Sequence, residues 1–145
     1  MKIINNDVLF GEIEQILREG GSATIRIKGD SMRPFLRNGR DTVTLSTLPD
    51  SGLRRGMVLL FRCGDHWLLH RLRHIDGGTL TIKGDGNCRI TERVEQVAVT
   101  GYASAIGRNG HTIAYGSVRW RLLTAYSLGI KVLRTGWYTL KHPHK

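Results

Sequence analysis

Acidic residues run out early in this chain. From Arg108 to Lys145 there is no aspartate or glutamate against seven lysines and arginines, so this last stretch supplies +7 of the formal +10 charge and the remainder is nearly balanced. The surplus is therefore a property of the tail and does not by itself mark a nucleic-acid binder. A nucleic-acid module would use exposed Trp or Tyr for stacking and cations for phosphate. The cations here form no recognition helix, ribonucleoprotein motif or zinc finger, and no specific nucleic acid is expected. Cysteine is scarce as well: Cys63 and Cys88 stand apart without metal-ligand spacing and read as free thiols in a reducing compartment. No stretch reaches eighteen consecutive apolar residues, and Met1 to Asp7 lacks the hydrophobic region of a secretory signal. These features lead us to expect a cytoplasmic protein without a spanning segment.

What is abundant is glycine, 18 residues in 145. With many short apolar or alternating segments between them, this favours a chain that turns often, a mainly β protein with one core. Leu9, Ile13, Ile16 and Leu17 share one face of a helix from about Val8 to Arg18, ended by Gly20-Gly21. Ala23, Ile25 and Ile27 alternate with polar residues in a strand that runs toward Ser31. Further strands are expected over Thr42 to Ser46, Met57 to Phe61, Trp67 to Ile75, Thr79 to Lys83 and His111 to Tyr115, with hairpins at Gly64-Asp65 and Asn109-Gly110. Leu123, Tyr126, Ile130, Leu133, Trp137 and Leu140 then draw one helical stripe. The expected division is 1–21 (helix and linker), 22–116 (β domain) and 117–145 (basic amphipathic segment packed on the core). A second reading of that segment is peripheral contact with an anionic membrane through Trp120, Trp137, Arg119, Arg121, Lys131, Arg134 and Lys141. A third is a protein-docking surface.

The residues that carry chemistry are Ser31, His70 and Asp85. A serine hydroxyl needs a base, a neutral imidazole supplies one, and a carboxylate fixes the ring tautomer. Thirty-nine positions separate Ser31 from His70 and fifteen separate His70 from Asp85, so only a folded scaffold brings them together. Alternation within Trp67 to Ile75 puts Leu68, His70 and Leu72 on one apolar face and Leu69, Arg71 and Arg73 on the other. Plain structural roles stay open: Ser31 as a cap, His70 as a buried strand residue, Asp85 as a turn residue. Pro34 suits the first turn of a short helix opening at Ser31, whose free amides would serve as oxyanion donors. Met32 would pack beneath the serine or line a substrate groove. His66, His70 and His74 are too spread along a strand for one zinc site, and His142 and His144 flank Pro143 near the end; no metal or cofactor is expected.

Gly29-Asp30-Ser31-Met32-Arg33-Pro34 with Leu36 and Gly39, then Leu53-Arg54-Arg55-Gly56-Met57-Val58, His70-Arg71 and Lys83-Gly84-Asp85-Gly86-Asn87 occur in the order of boxes found in one superfamily. Over residues 23 to 106 the chain resembles the serine peptidases that include type I signal peptidases and LexA-like self-cleaving repressors. That resemblance implies a compact, coiled, partly open β barrel, with Ser31 as nucleophile, His70 as base and Asp85 as its leading acid. Gly29, Met32 and Pro34 would shape the substrate or oxyanion side. The His-Arg pair resembles the endoplasmic-reticulum type rather than the lysine-based majority, and Lys83 matches a box lysine that is not the base. Two departures stand out: Asp41 is displaced one position by Arg40, and Glu92 stands near where a second aspartate is usual, as a candidate replacement acid.

Without an anchor or a repressor-like DNA-binding domain, the resemblance implies an endopeptidase that trims a leader peptide or one dedicated protein substrate, with small residues before the scissile bond. Self-cleavage near the N terminus is a variant of this. A catalytically inactive peptide-binding module of the same fold is the alternative.

Overall fold

A computed structural model describes the backbone of residues 6–64, 66–86 and 91–141 and the side chains of 9–64, 66–86 and 91–129. Asp65, Asn87, Cys88, His142 and His144 lie outside the described residues, as do the side chains at Ile130, Lys131, Leu133, Arg134, Trp137, Leu140 and Lys141.

Alternation and turn chemistry produce a mainly β chain. The strands are β1 (Ser22–Arg26), β2 (Asp41–Ser46), β3 (Val58–Cys63), β4 (His66–Asp76), β5 (Thr79–Lys83), β6 (Glu92–Glu95), β7 (Val99–Arg108) and β8 (His111–Ala114). They form one antiparallel sheet in the order β1-β2-β7-β3-β4-β5-β6, with β8 pairing the far half of β7. Register shifts at Thr44/Leu45, Leu60/Phe61 and Leu72/His74 add local twist, and the sheet curls into a half-barrel. Strand β3 is covered on both faces. Val58 and Leu60 enter a cluster with Ile25, Val43, Leu45 and Ile106, while Leu59 and Phe61 enter another with Met57, Leu72, Leu80 and Ile82.

Two helices flank the sheet. Helix α1 (Asn6–Arg18) buries Ile13 and Leu17 in the first cluster, and Gly20, at φ 82°, ends it in the left-handed conformation that glycine adopts without strain. Ile16 sits at the rim, 39% exposed, rather than on the buried face. Helix α2 (Val118–Lys141) starts where the Ser117 hydroxyl accepts from the Trp120 amide at 3.2 Å. Trp120 is 3% exposed and packs edge-on against Phe35 and Tyr115. It is therefore core and not a membrane anchor. The inner face of α2 runs through Trp120, Leu123 and Ser127, which turns Tyr126 outward at 60% exposure and splits the expected stripe.

The expected helix after Ser31 is replaced by consecutive turns over 31–36. Arg33 donates its amide to Asp30 and Leu36 to Met32, and the Arg33–Pro34 peptide is cis. A residue before proline is pushed away from helical geometry, so Pro34 at this position works against a regular turn of helix. Strands β6 and β7 are not singled out by the periodicity. β6 is a four-residue outer strand whose sequence, Glu-Arg-Val-Glu, carries a single apolar residue.

Candidate serine-histidine site

Ser31 lies on the turn that leaves β1, and the box at 84–86 fixes that turn by backbone contact. Gly86 donates its amide to the Ser31 carbonyl at 2.8 Å, and the Asp85 amide points to Met32 Sδ at 3.3 Å. Both glycines are needed for this approach. A Cβ at Gly84 would overlap the Ser31 carbonyl oxygen and stand 3.2 Å from His70 Nε2, and one at Gly86 would overlap the Asp30 carbonyl. The far end of the turn is tied down by Asp41. Its carboxylate accepts from Arg108, Arg40 and the Arg37 amide, and Arg108 also donates to the Phe35 carbonyl at 2.9 Å. Burial pushes the Asp41 carboxyl up, but the Arg108 and Arg40 guanidiniums and the Arg37 amide outweigh it and hold the group below the ordinary carboxylate range.

His70 is 5% exposed on the β4 face that also carries Leu72, with Phe61 tilted against its ring. Its Nδ1 lies 2.8 Å from Glu92 Oε1. Glu92 is nearly buried too, and its Oε2 has no hydrogen-bond partner among the described residues. A neutral imidazole that donates from Nδ1 to this carboxylate keeps its acceptor on Nε2, the edge that faces the Gly84–Ser31 contact.

The carboxylate on His70 is thus Glu92, and the leading role assigned to Asp85 is corrected. Arg71, side by side with His70 but pointing to the opposite face of β4, takes both Asp85 oxygens at 2.8 and 2.7 Å, and the Ser127 hydroxyl donates to the same carboxylate at 2.7 Å. Arg71 also donates to the Gly56 carbonyl and lies 4.5 Å over the Phe35 ring. Arg71, Asp85 and Ser127 are fully buried. Asp85 therefore neutralises a buried guanidinium and anchors the glycine box from behind. Its structural role follows from the pleat: residues 70 and 71 project to opposite faces.

Ser31 and His70 line one groove, which encloses about 210 Å³. Ile25, Ile27 and Gly29 form the β1 side, Trp67, Leu68 and Leu69 the β4 side, and Met32, Leu36, Leu9 and Phe10 complete the lining, with Arg26 and Lys28 at the rim. Phe10 stacks on Trp67 at 6.1 Å, and Arg62 lies 5.2 Å over the same indole. β1 is an outer strand of the sheet, and β5 pairs with β4 only from Arg71 onward, so among the described residues both strands offer unpaired edges along the groove. Among the described residues, neither the Ser31 nor the Met32 amide donates a hydrogen bond. Pro34 is half-buried within the turn and is not among the groove residues.

Lys83 pairs opposite Arg71 at the end of β5. His66 and His74 are both exposed, apart from buried His70. Cys63 is an exposed thiol. No helix among the described residues is long and apolar enough to cross a membrane. Neither a protein-family model nor a curated protein matches this chain.

Proposed function

We propose that the protein is a serine endopeptidase of the signal-peptidase and LexA-like kind, cutting a leader peptide or a dedicated protein substrate with Ser31, His70 and Glu92. The observation that carries the reading is the buried His70–Glu92 pair, whose ring presents Nε2 toward the turn that the Gly84–Gly86 box clamps around Ser31. An extended peptide would add to the free edges of β1 and β4, its side chains entering the apolar groove. Ser31 Oγ attacks the scissile carbonyl carbon and its proton passes to His70 Nε2. The C–O bond formed leaves an oxyanion, for which the Ser31 and Met32 amides are the candidate donors. Collapse breaks the C–N bond, His70 returns the proton to the leaving amine, and water attacks the acyl-enzyme by the same route. Nothing in this sequence of steps calls for a cofactor.

The test is incubation of the intact protein, Ser31→Ala and His70→Ala with a panel of leader peptides and with a fluorophosphonate, read by mass. The intact protein should cut a peptide and carry the phosphonate adduct on the segment containing Ser31, and both variants should do neither. Equal behaviour of all three would overturn the mechanism. Peptide binding without cleavage or adduct would assign the groove to a non-catalytic peptide-binding module, the reading its free strand edges also support.

A further inference from the structure

A second cavity, of about 440 Å³, opens between the 54–56 loop, the Tyr115–Gly116 turn and the first turns of α2. Arg54, Arg55 and Arg121 stand on its wall, and no carboxylate does. Among the described residues none of the three is ion-paired. Arg55 Nε donates to the Arg73 carbonyl at 3.0 Å, which leaves the rest of its guanidinium for other partners. Thr124 Oγ1, also on the wall, is buried without a hydrogen-bond partner among the described residues. Three like charges around one cavity repel each other, and an anion with several oxygens relieves that repulsion while matching guanidinium forks. The amino-terminal end of α2 adds positive potential at the same place.

What lies beside the cavity selects among anions. Val118, Leu122 and Tyr126 are 73%, 65% and 60% exposed and recur every four residues, making one outward stripe on α2. At helical spacing, Arg121 and Ala125 fall between this stripe and the buried face, so the cationic cavity flanks the apolar stripe directly. We propose that the cavity takes the phosphate headgroup of an anionic phospholipid at a bilayer surface, with Val118, Leu122 and Tyr126 entering the interface beside it. Free phosphate shares the headgroup's chemistry but gives the apolar stripe no partner.

The site is independent of the proposed peptidase chemistry and is tested on the full chain carrying Ser31→Ala. Vesicles of phosphatidylcholine alone, or with phosphatidylglycerol, are sedimented with the protein near physiological salt. Association is expected only with the anionic vesicles. Arg54→Gln and Arg121→Gln should each weaken it about fivefold, the effect of one cation at a charged surface, and Leu122→Ser should weaken it as well. Arg93→Gln, which removes the same charge from an exposed position on β6, should leave it unchanged. Equal losses at Arg93 and Arg121 would reduce the effect to net charge and overturn the site. Absence of vesicle association would overturn it too, and saturable inorganic phosphate binding that Arg121→Gln abolishes would then assign the cavity to a soluble anion.

Discussion

His70 and Arg71 are neighbours whose side chains leave the strand in opposite directions, and each meets its own acid. Glu92 serves the histidine and Asp85 the arginine, so the two carboxylates should fail differently when altered. Glu92→Gln keeps the shape but loses the charge that stabilises an imidazolium, and turnover should fall by about 10² to 10⁴ with the unfolding midpoint nearly unchanged, checked by peptide cleavage beside thermal melts. Asp85→Asn strands a fully buried guanidinium and should cost about 3–5 kcal/mol of stability, read by denaturant unfolding. Ser31 and His70 are legible in the sequence because a turn and an alternating strand flank them. The partner of His70 is not: choosing between Asp85 and Glu92 requires knowing which face of β4 each acid approaches, and that depends on where β6 docks.

At the level of elements, the box at 84–86 works through what it lacks. With no Cβ at either glycine, its backbone lies against the Ser31 turn, and a methyl group at Gly84 would press on the Ser31 carbonyl and on His70 together. Gly84→Ala should lower cleavage sharply and cost about 1–3 kcal/mol, the usual range for overpacking. Gly78→Ala, where a Cβ meets nothing within 4 Å, is the silent control in the same assays. α1, β2 to β5 and β8 can be read from apolar spacing within a residue or two of their observed ends. β6 escapes because an outer strand needs little apolar content, and the Ser31 turn escapes because long-range contacts from residues 85, 86 and 108 define it. Helix α2 is legible as a helix, but the face it buries is set largely by Phe35 and Asp85, both distant in sequence, with the neighbouring Tyr115 beside them.

Across the whole molecule, an acid-sensitive knot ties the half-barrel to the turn that carries Ser31. Asp41 joins the Ser31 turn to β2 and, through Arg108, to β7. Its folded pKa lies below its unfolded value near ~3.9, so the stability it contributes is present above that value and is lost as pH falls through the folded pKa. Thermal melts across pH 2 to 7 should show this acid-side loss, and Asp41→Asn should lower stability by about 2 kcal/mol at neutral pH while flattening that part of the profile. The stack of Phe10 on Trp67 at the groove has a practical consequence. Trp67 is an optical probe built into the groove, whereas Trp120 is sealed in the core and gives a steady background. Comparing emission of the intact chain with Trp67→Phe isolates that signal, so occupancy of the groove can be followed on one unlabelled sample.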